Sequence, residues 1–267
     1  MDTARIAGAL SGAGLFAALG MGPAYMSIVG LYVVSTLLTL CVVAPSKPHP
    51  IDEGAGGTLR RSPMRDLKQG VAYVWTTPLM RAAMWIAFLA NLTAYPLSNG
   101  LLPYVAREIY RTNQTGLGYL SASFAVGSLV GSVLLSLIGG IRVARLLIGA
   151  TVMWYAALLL FVQMQTVPAA IVCLMLAGFS QSLCMISIAV ILMRTSSAHF
   201  RGRVMGVRML VIYGLPLGLL AAGSLIDEIG FAATGTLYAT AGVALMMAIV
   251  LHWRADVWHV HAPANAK

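Results

Sequence analysis

Long apolar runs separated by short polar segments dominate this chain. Each run comes close to, or exceeds, the ~20 residues with which a helix crosses a hydrocarbon core about 30 Å thick. Lipid offers backbone groups no hydrogen-bond partner, so such runs are expected to be helical. Two runs precede a long polar segment and six follow it, which predicts eight membrane-spanning helices and an all-α fold. The predicted spans are about 5–19, 24–44, 79–105, 116–138, 143–162, 167–193, 204–225 and 230–253.

The long polar segment is the predicted boundary between two membrane units. This segment, residues 45–77, begins with Pro45, Pro48 and Pro50, and it also contains a glycine-rich patch and a basic cluster. We expect a pair of helices before it and a complete six-helix unit after it. The predicted divisions are two helices at 1–45, a cytoplasmic basic linker at 46–78, the six-helix unit at 79–254 and a cytoplasmic tail at 255–267.

Part of the linker has helical periodicity. Between residues 64 and 76, apolar side chains would share one helix face, as in an amphipathic helix lying on the membrane surface. The alternative is a solvated linker, and the sequence leaves the two readings open. The residues that would form the apolar face are Leu67, Val71, Val74 and Trp75.

The positive charges predict the orientation. When the gaps between spans are numbered alternately, 15 of the 17 Lys and Arg residues fall in one set, and the other set holds only Arg107 and Arg111. Basic residues stay preferentially on the cytoplasmic side, so both termini and the linker are expected there. This bias accounts for the net charge of +9, so the lipid bilayer is the expected partner and no nucleic acid is implied.

No pattern of reactive side chains points to an enzyme. Charged residues make up 9 % of the chain and avoid the middle of every predicted span. The three cysteines, Cys41, Cys173 and Cys184, have no metal or redox spacing. The sequence therefore predicts a protein that is not an enzyme and that has neither a cofactor nor a metal site.

Neutral polar residues within the spans are the candidate substrate contacts, because polar groups at membrane depth are costly and are often functional. Asn91 and Tyr95 are four residues apart, on one helix face, and Pro96 interrupts the backbone hydrogen bonding beside them. The alternative is ordinary hydrogen bonding between helices. The candidates for a substrate cavity are Asn91, Tyr95, Asn99, Gln181 and Tyr213.

Small residues four apart mark the expected close helix contacts, since without a hydrophobic drive helices in lipid associate through close backbone approach. Such spacing occurs in the first, fourth and seventh predicted spans. This spacing indicates either that the glycines only allow close helix packing or that the helices slide along each other at these surfaces. The glycines concerned are the pairs Gly8 and Gly12, Gly127 and Gly131, and Gly214 and Gly218.

Residues 201–206, which read Arg-Gly-Arg-Val-Met-Gly, are the first part of a resemblance to a known family. The next span contains Gly-Leu-Pro-Leu-Gly at 214–218 and ends in Asp227 and Gly230. This combination resembles the loop between helices 10 and 11, and helix 11 itself, of major facilitator superfamily transporters. It is most similar to the bacterial multidrug and siderophore exporters, including the enterobactin exporter group. The first span resembles helix 5 but has Gly8-Ala9 where the family has Gly-Pro.

The resemblance carries further expectations. It implies that the early spans are helices 5 and 6, that the last six are helices 7 to 12, and that helices 1 to 4 are absent. The expected protein is therefore a truncated exporter of small amphipathic molecules, either drugs or a siderophore, in the bacterial inner membrane, working by alternating access. The resemblance also implies a cytoplasmic gate at Arg201, Gly202 and Arg203, for which positive-inside anchoring is the alternative. It assigns the glycine-containing spans to the interface between the two halves.

Two alternatives to an exporting chain remain open from the sequence. The first is a non-transporting membrane scaffold, a partner subunit or an inactive fragment. The second is a homo-oligomer that regains a pore by association.

Overall fold

A computed structural model describes residues 21–41, 63–137, 143–197 and 199–253. Helices make up 92 % of these residues, and this part of the chain contains no strand. Five of its helices are long and apolar enough to cross a membrane. The expectation of an all-α polytopic membrane protein is thereby confirmed, while the count of eight spans stays a prediction.

The described residues form helices that we number in chain order. Their bounds are α1 Met21–Cys41, α2 Pro63–Thr76, α3 78–109, α4 Gln114–Leu137, α5 Val143–Gln163, α6 Val167–Thr195, α7 Arg201–Ile229 and α8 Phe231–His252. The first predicted span, with Gly8 and Gly12, lies outside the described residues. So do most of the linker and the tail that follows Trp253.

Helix α1 has apolar side chains on every side. All side chains from residue 26 to residue 40 are exposed. An apolar helix of this kind is stable only where lipid or other helices cover it, because water contact with its whole surface is unfavourable. Its exposure agrees with a membrane-embedded position.

Helix α6 is the central packing element of the six-helix unit, since it contacts both α4 and α5 along much of its length. The contact with α4 depends on glycine. A Cβ atom on Gly127 would overlap the Met175 backbone, and one on Gly178 would overlap the Phe124 carbonyl. A Cβ on Gly131 would overlap the Ser182 hydroxyl and the Phe179 carbonyl. The two backbones therefore approach more closely than any larger residue would allow.

Helix α3 is irregular at the position that Pro96 occupies. It begins as an α-helix at Pro78–Leu89 and continues through π-helical segments at Ala90–Ala94 and Pro96–Gly100. A further π-helical segment covers Val105–Ile109. Proline has no N–H to donate to the carbonyl four residues earlier, so the α-helical pattern is interrupted here. This irregularity agrees with the interruption of backbone hydrogen bonding that Pro96 predicts.

Helix α7 also changes geometry along its length, and two of its glycines, Gly214 and Gly218, face α3. A 3-10 turn at Val211–Tyr213 separates Arg201–Leu210 from Gly214–Ile229. A Cβ on Gly218 would overlap the Leu92 carbonyl, and one on Gly214 would lie 3.1 Å from the Phe88 carbonyl. The pair Gly127 and Gly131 and the pair Gly214 and Gly218 therefore make their close contacts among helices α3 to α8, the six-helix unit.

Helix α2 shows that part of the linker is helical, and its apolar face packs against α7. The rings of Tyr73 and Phe200 stack with centroids 4.4 Å apart, and the Tyr73 hydroxyl accepts a hydrogen bond from the Ser197 N–H at 3.2 Å. Val74 is completely buried. A Cβ on Gly70 would lie 3.0 Å from the Arg203 carbonyl oxygen. Protein, rather than lipid alone, thus covers this face.

Candidate functional site

Three polar side chains from three helices meet inside the six-helix unit. Gln181 of α6 donates from Nε2 to the Tyr95 hydroxyl of α3 at 2.6 Å. The Ser128 hydroxyl of α4 lies 3.1 Å from Gln181 Oε1 and 3.1 Å from the Gly178 carbonyl, so its single proton is shared between these acceptors. We call Tyr95, Ser128 and Gln181 the polar trio.

Apolar and aromatic groups surround the polar trio. Ser128 and Gln181 are buried, and Tyr95 is half-buried. The Tyr95 ring meets the Trp154 ring edge to face, with centroids 5.1 Å apart. Trp154 Nε1 is buried, and no described residue gives it a hydrogen-bond partner. An unsatisfied buried donor costs on the order of 1–3 kcal/mol, so such groups are rare in folded proteins.

A second polar contact links α3 to α5 beside the trio. The Thr93 and Tyr155 hydroxyls lie 2.7 Å apart and share a hydrogen bond. Both hydroxyls also approach the Leu89 carbonyl, Thr93 at 2.9 Å and Tyr155 at 3.4 Å. Tyr155 is completely buried, and its ring packs on Gly242 of α8, where a Cβ would lie 2.5 Å from the Tyr155 Cζ. The sequence reasoning missed Thr93 and Tyr155 as a pair, because their 62-residue separation hides the contact.

The two asparagines among the cavity candidates donate hydrogen bonds to groups on their own helix, α3. Asn91 is buried and donates from Nδ2 to the Ala87 carbonyl at 2.9 Å, while its Cβ lies against Gly214 of α7. Asn99 is half-buried, and its Nδ2 donates to the Ser98 hydroxyl at 3.2 Å. Both residues lie on the same helix as Tyr95, one turn before it and one turn after it.

Tyr213 occupies a different environment from the other candidates. It lies in the 3-10 turn of α7, and its side chain is 68 % exposed. Its neighbour Gly214 contacts Asn91, so the backbone of α7 is close to the asparagine although the tyrosine ring is exposed. Of the five cavity candidates, the structure thus joins Tyr95 and Gln181 directly.

The gate candidates lie where α7 begins, next to α2. Arg201 and Gly202 are exposed. Arg203 places its guanidinium carbon 5.2 Å from the Phe200 ring centre and one terminal nitrogen 3.3 Å from His199 Nε2. Since Phe200 stacks on Tyr73, the motif contacts α2 through this aromatic residue.

The described residues include no group of three or more His, Cys, Asp or Glu side chains placed to hold a metal ion. Cys184 is buried, with its sulfur 3.2 Å from the Thr151 hydroxyl, and Cys173 is half-buried. The polar trio and its neighbours thus present neutral hydrogen-bonding groups beside aromatic rings.

The sequence of this chain matches a known protein family. The family model described as Major Facilitator Superfamily matches residues 3–216 and 97–266. The chain belongs to this superfamily. Among curated proteins, this superfamily member is 28 % identical over 193 residues to the multidrug efflux pump Tap of Mycolicibacterium fortuitum. The match covers 68 % of this chain and 46 % of Tap, so the chain spans about half the length of that relative.

Proposed function

We propose that this chain takes part in the export of small amphipathic molecules across the bacterial inner membrane by alternating access. The observation that carries the proposal is the similarity over 193 residues to a protein named as a multidrug efflux pump. The enterobactin-exporter resemblance would narrow the substrate to a siderophore. The similarity to Tap favours the broader substrate class, small amphipathic molecules.

We further propose the polar trio as a contact for the substrate. Ligand sites are commonly apolar and aromatic, with few polar groups that orient the ligand. Gln181, Tyr95 and Ser128 supply neutral donors and acceptors, and Trp154 supplies an aromatic ring and an unpaired N–H. Neutral groups of this kind suit molecules that combine an apolar body with a few polar atoms. Asn91, Asn99 and Tyr213 stay candidates for additional contacts.

The proposed orientation has both termini in the cytoplasm, which places Arg201, Gly202 and Arg203 at the cytoplasmic end of α7. In this arrangement, the contacts of Arg203 and Phe200 with α2 would couple the linker to any movement of α7. The proposed gate therefore acts through the position of α2.

A transport assay tests this proposal. The chain is expressed in a bacterium without its own drug pumps, and ethidium accumulation is measured by fluorescence at matched protein levels in the membrane. We expect lower accumulation than in cells with an empty vector. Gln181→Leu should abolish the difference, because it removes both hydrogen bonds of the amide. Tyr119→Phe, at an exposed position on α4, is the matched control and should behave as the unmodified chain.

Purified chain in proteoliposomes provides the second arm of the test. Saturable, substrate-dependent transport would support export by this chain itself. Correctly inserted protein that transports no amphipathic cation, alone or as an oligomer, would overturn the proposal. Transport that Gln181→Leu leaves unchanged would contradict the role of the polar trio while leaving export intact.

A further inference from the structure

Two apolar grooves meet at the end of the six-helix unit that carries α2. The first has a volume of about 330 Å³, lies between α2, α3 and α7, and includes Val74, Arg81 and Val207 in its lining. The second has a volume of about 590 Å³ and lies between α3 and α8. Trp85 and Phe88 of α3 line both grooves and form the ridge between them.

The grooves exist because α7 and α8 separate towards this end. Near the opposite end the two helices pack together, and the Tyr238 hydroxyl of α8 donates to the Gly218 carbonyl of α7 at 2.7 Å. At the groove end, α7 packs instead against α2, where a Cβ on Gly70 would lie 3.0 Å from the Arg203 carbonyl oxygen, and Phe200, just before α7, stacks on Tyr73. Trp85 is left 41 % exposed between the helices. An apolar gap of this kind in a membrane protein is covered by lipid or by protein.

One basic residue marks the boundary between the grooves. Arg81 is the charged residue in the lining of the first groove, and its guanidinium carbon lies 5.2 Å from the ring centre of Trp253, which lines the second. Its Nε is buried, and none of the described residues accepts a hydrogen bond from it. A cation held against an aromatic ring, with an unpaired donor, complements an anionic oxygen-bearing group.

The depth of the grooves matches one leaflet of a bilayer. From Arg81 to Leu92, at the far end of the second groove, the helix rises about 16 Å at roughly 1.5 Å per residue. That is a little more than half of a hydrocarbon core about 30 Å thick. Trp75, Trp85 and Trp253 cluster around the arginine end, where tryptophan is typical of the membrane–water interface. The arginine is therefore at headgroup level, and the grooves extend to acyl-chain depth.

We propose that this end of the protein binds one anionic two-chain phospholipid. Its phosphate contacts Arg81, and its two acyl chains lie in the two grooves on either side of Trp85 and Phe88. The paired grooves account for two chains, and the Arg81 guanidinium accounts for one phosphate. A free phosphate ion would use the cation alone and leave both grooves uncovered. The site lies apart from the polar trio and does not depend on the proposed export activity.

Quenching of tryptophan fluorescence by brominated lipids tests the proposal. The full chain is placed in nanodiscs of phosphatidylcholine that contain a minor fraction of dibrominated phosphatidylglycerol. The reference nanodiscs contain the same fraction of dibrominated phosphatidylcholine. We expect stronger quenching by phosphatidylglycerol. Arg81→Gln should lower this preference about fivefold, since a basic residue near the membrane surface contributes about that factor. Arg81→Lys should largely retain it.

Matched variants separate the site from general charge effects. Arg194→Gln removes the same charge from an exposed position at the end of α6 and should leave the preference unchanged. Ala248→Phe fills the second groove and should reduce quenching, whereas Ala221→Phe, on an exposed face of α7, should not. The Ala248 variant adds no tryptophan, and phenylalanine is not excited at the wavelengths that select tryptophan.

Several results would overturn the proposal. One is equal quenching by the two lipids, and another is an Arg81→Gln variant that behaves as Arg194→Gln does. Loss of the preference when inorganic phosphate replaces chloride at constant ionic strength would assign Arg81 to a free anion. A dimer that Ala248→Phe dissociates would assign the groove to a second copy of the chain.

Discussion

Gly218 of α7 lies directly on the Leu92 carbonyl of α3, the group that Pro96 leaves without an α-helical donor. A Cβ at this position would also lie 2.9 Å from the Pro96 ring. The irregular turn of α3 and the glycine of α7 are thus complementary in shape. This contact holds together two helices to which candidate site residues belong.

Gly218→Ala should lower the free energy of unfolding by about 1–3 kcal/mol, the usual cost of overpacking a close contact. The change is measured by denaturation with sodium dodecyl sulfate in mixed micelles, followed by circular dichroism. Gly223→Ala is the control on the same helix, because nothing lies within 4 Å of a Cβ there. Equal effects of the two substitutions would contradict the importance of the Leu92 contact.

Tyr95→Phe and Gln181→Leu should show coupled effects on stability. Their hydrogen bond spans 2.6 Å between α3 and α6, and bonds of this kind between membrane helices are worth about 0.6 kcal/mol, with a maximum of about 1.7. A double-mutant cycle of unfolding free energies measures the coupling. Tyr119→Phe in place of Tyr95→Phe should give a coupling near zero. Strict additivity of the first pair would argue against the bond.

Tyr73→Ala should release α2 from α7. The substitution removes a stacked aromatic pair, worth about 0.5–1.5 kcal/mol, together with the hydrogen bond from the Ser197 N–H. Hydrogen exchange of the amides at 63–76 should become faster in this variant. Tyr73→Phe retains the stack and should retain most of the protection. Unchanged exchange in Tyr73→Ala would show that Gly70 and Val74 suffice to hold the helix.

Tyr110 should show an alkaline dependence of stability. It lies in the connection between α3 and α4, and its hydroxyl donates to the Met164 carbonyl at 3.0 Å. Burial, with a smaller effect from Cys173, raises the pKa of Tyr110 from 10.0 to about 12. The unfolded chain therefore loses this proton first. The contribution of Tyr110 to the free energy of unfolding is therefore complete below pH 10, and it is lost as the pH rises towards 12.

The measurement for Tyr110 is the tyrosinate absorbance of the folded protein during an alkaline titration. Subtracting the Tyr110→Phe curve from that of the unmodified chain should leave one group that titrates near pH 12. A difference curve centred near pH 10 would show that the hydroxyl is not shielded. Stability of the Tyr110→Phe variant should fall less steeply between these two pH values.

The hydrophobic pattern was sufficient to predict most of the helices, because span length and apolar composition are local properties of the chain. It placed α4, α5 and α6 to within a few residues. It also located the irregularity of α3, since Pro96 is visible in the sequence. The pattern did not show that α7 starts at Arg201 and contains a 3-10 turn, because those features depend on packing against α2 and α3.

The candidate site was less predictable than the fold. Polar residues within apolar spans identified Tyr95 and Gln181 individually, but a sequence does not show which helices are neighbours. Their contact spans 86 residues, and that of Thr93 with Tyr155 spans 62. Ser128 follows Gly127 directly, and its contact with Gln181 depends on the glycine packing of α4 against α6. Pairing is a tertiary property, so it required the structure.

The π-helical stretches of α3 have a consequence for how this helix could change shape. A residue of helix corresponds to about 100° of rotation and 1.5 Å of rise. A stretch that tightened from π to α geometry would therefore turn everything beyond it by roughly a quarter of a revolution, without breaking the helix. Asn99 lies beyond the first such stretch and within the second. Such a change would turn Asn99 towards a different face of α3.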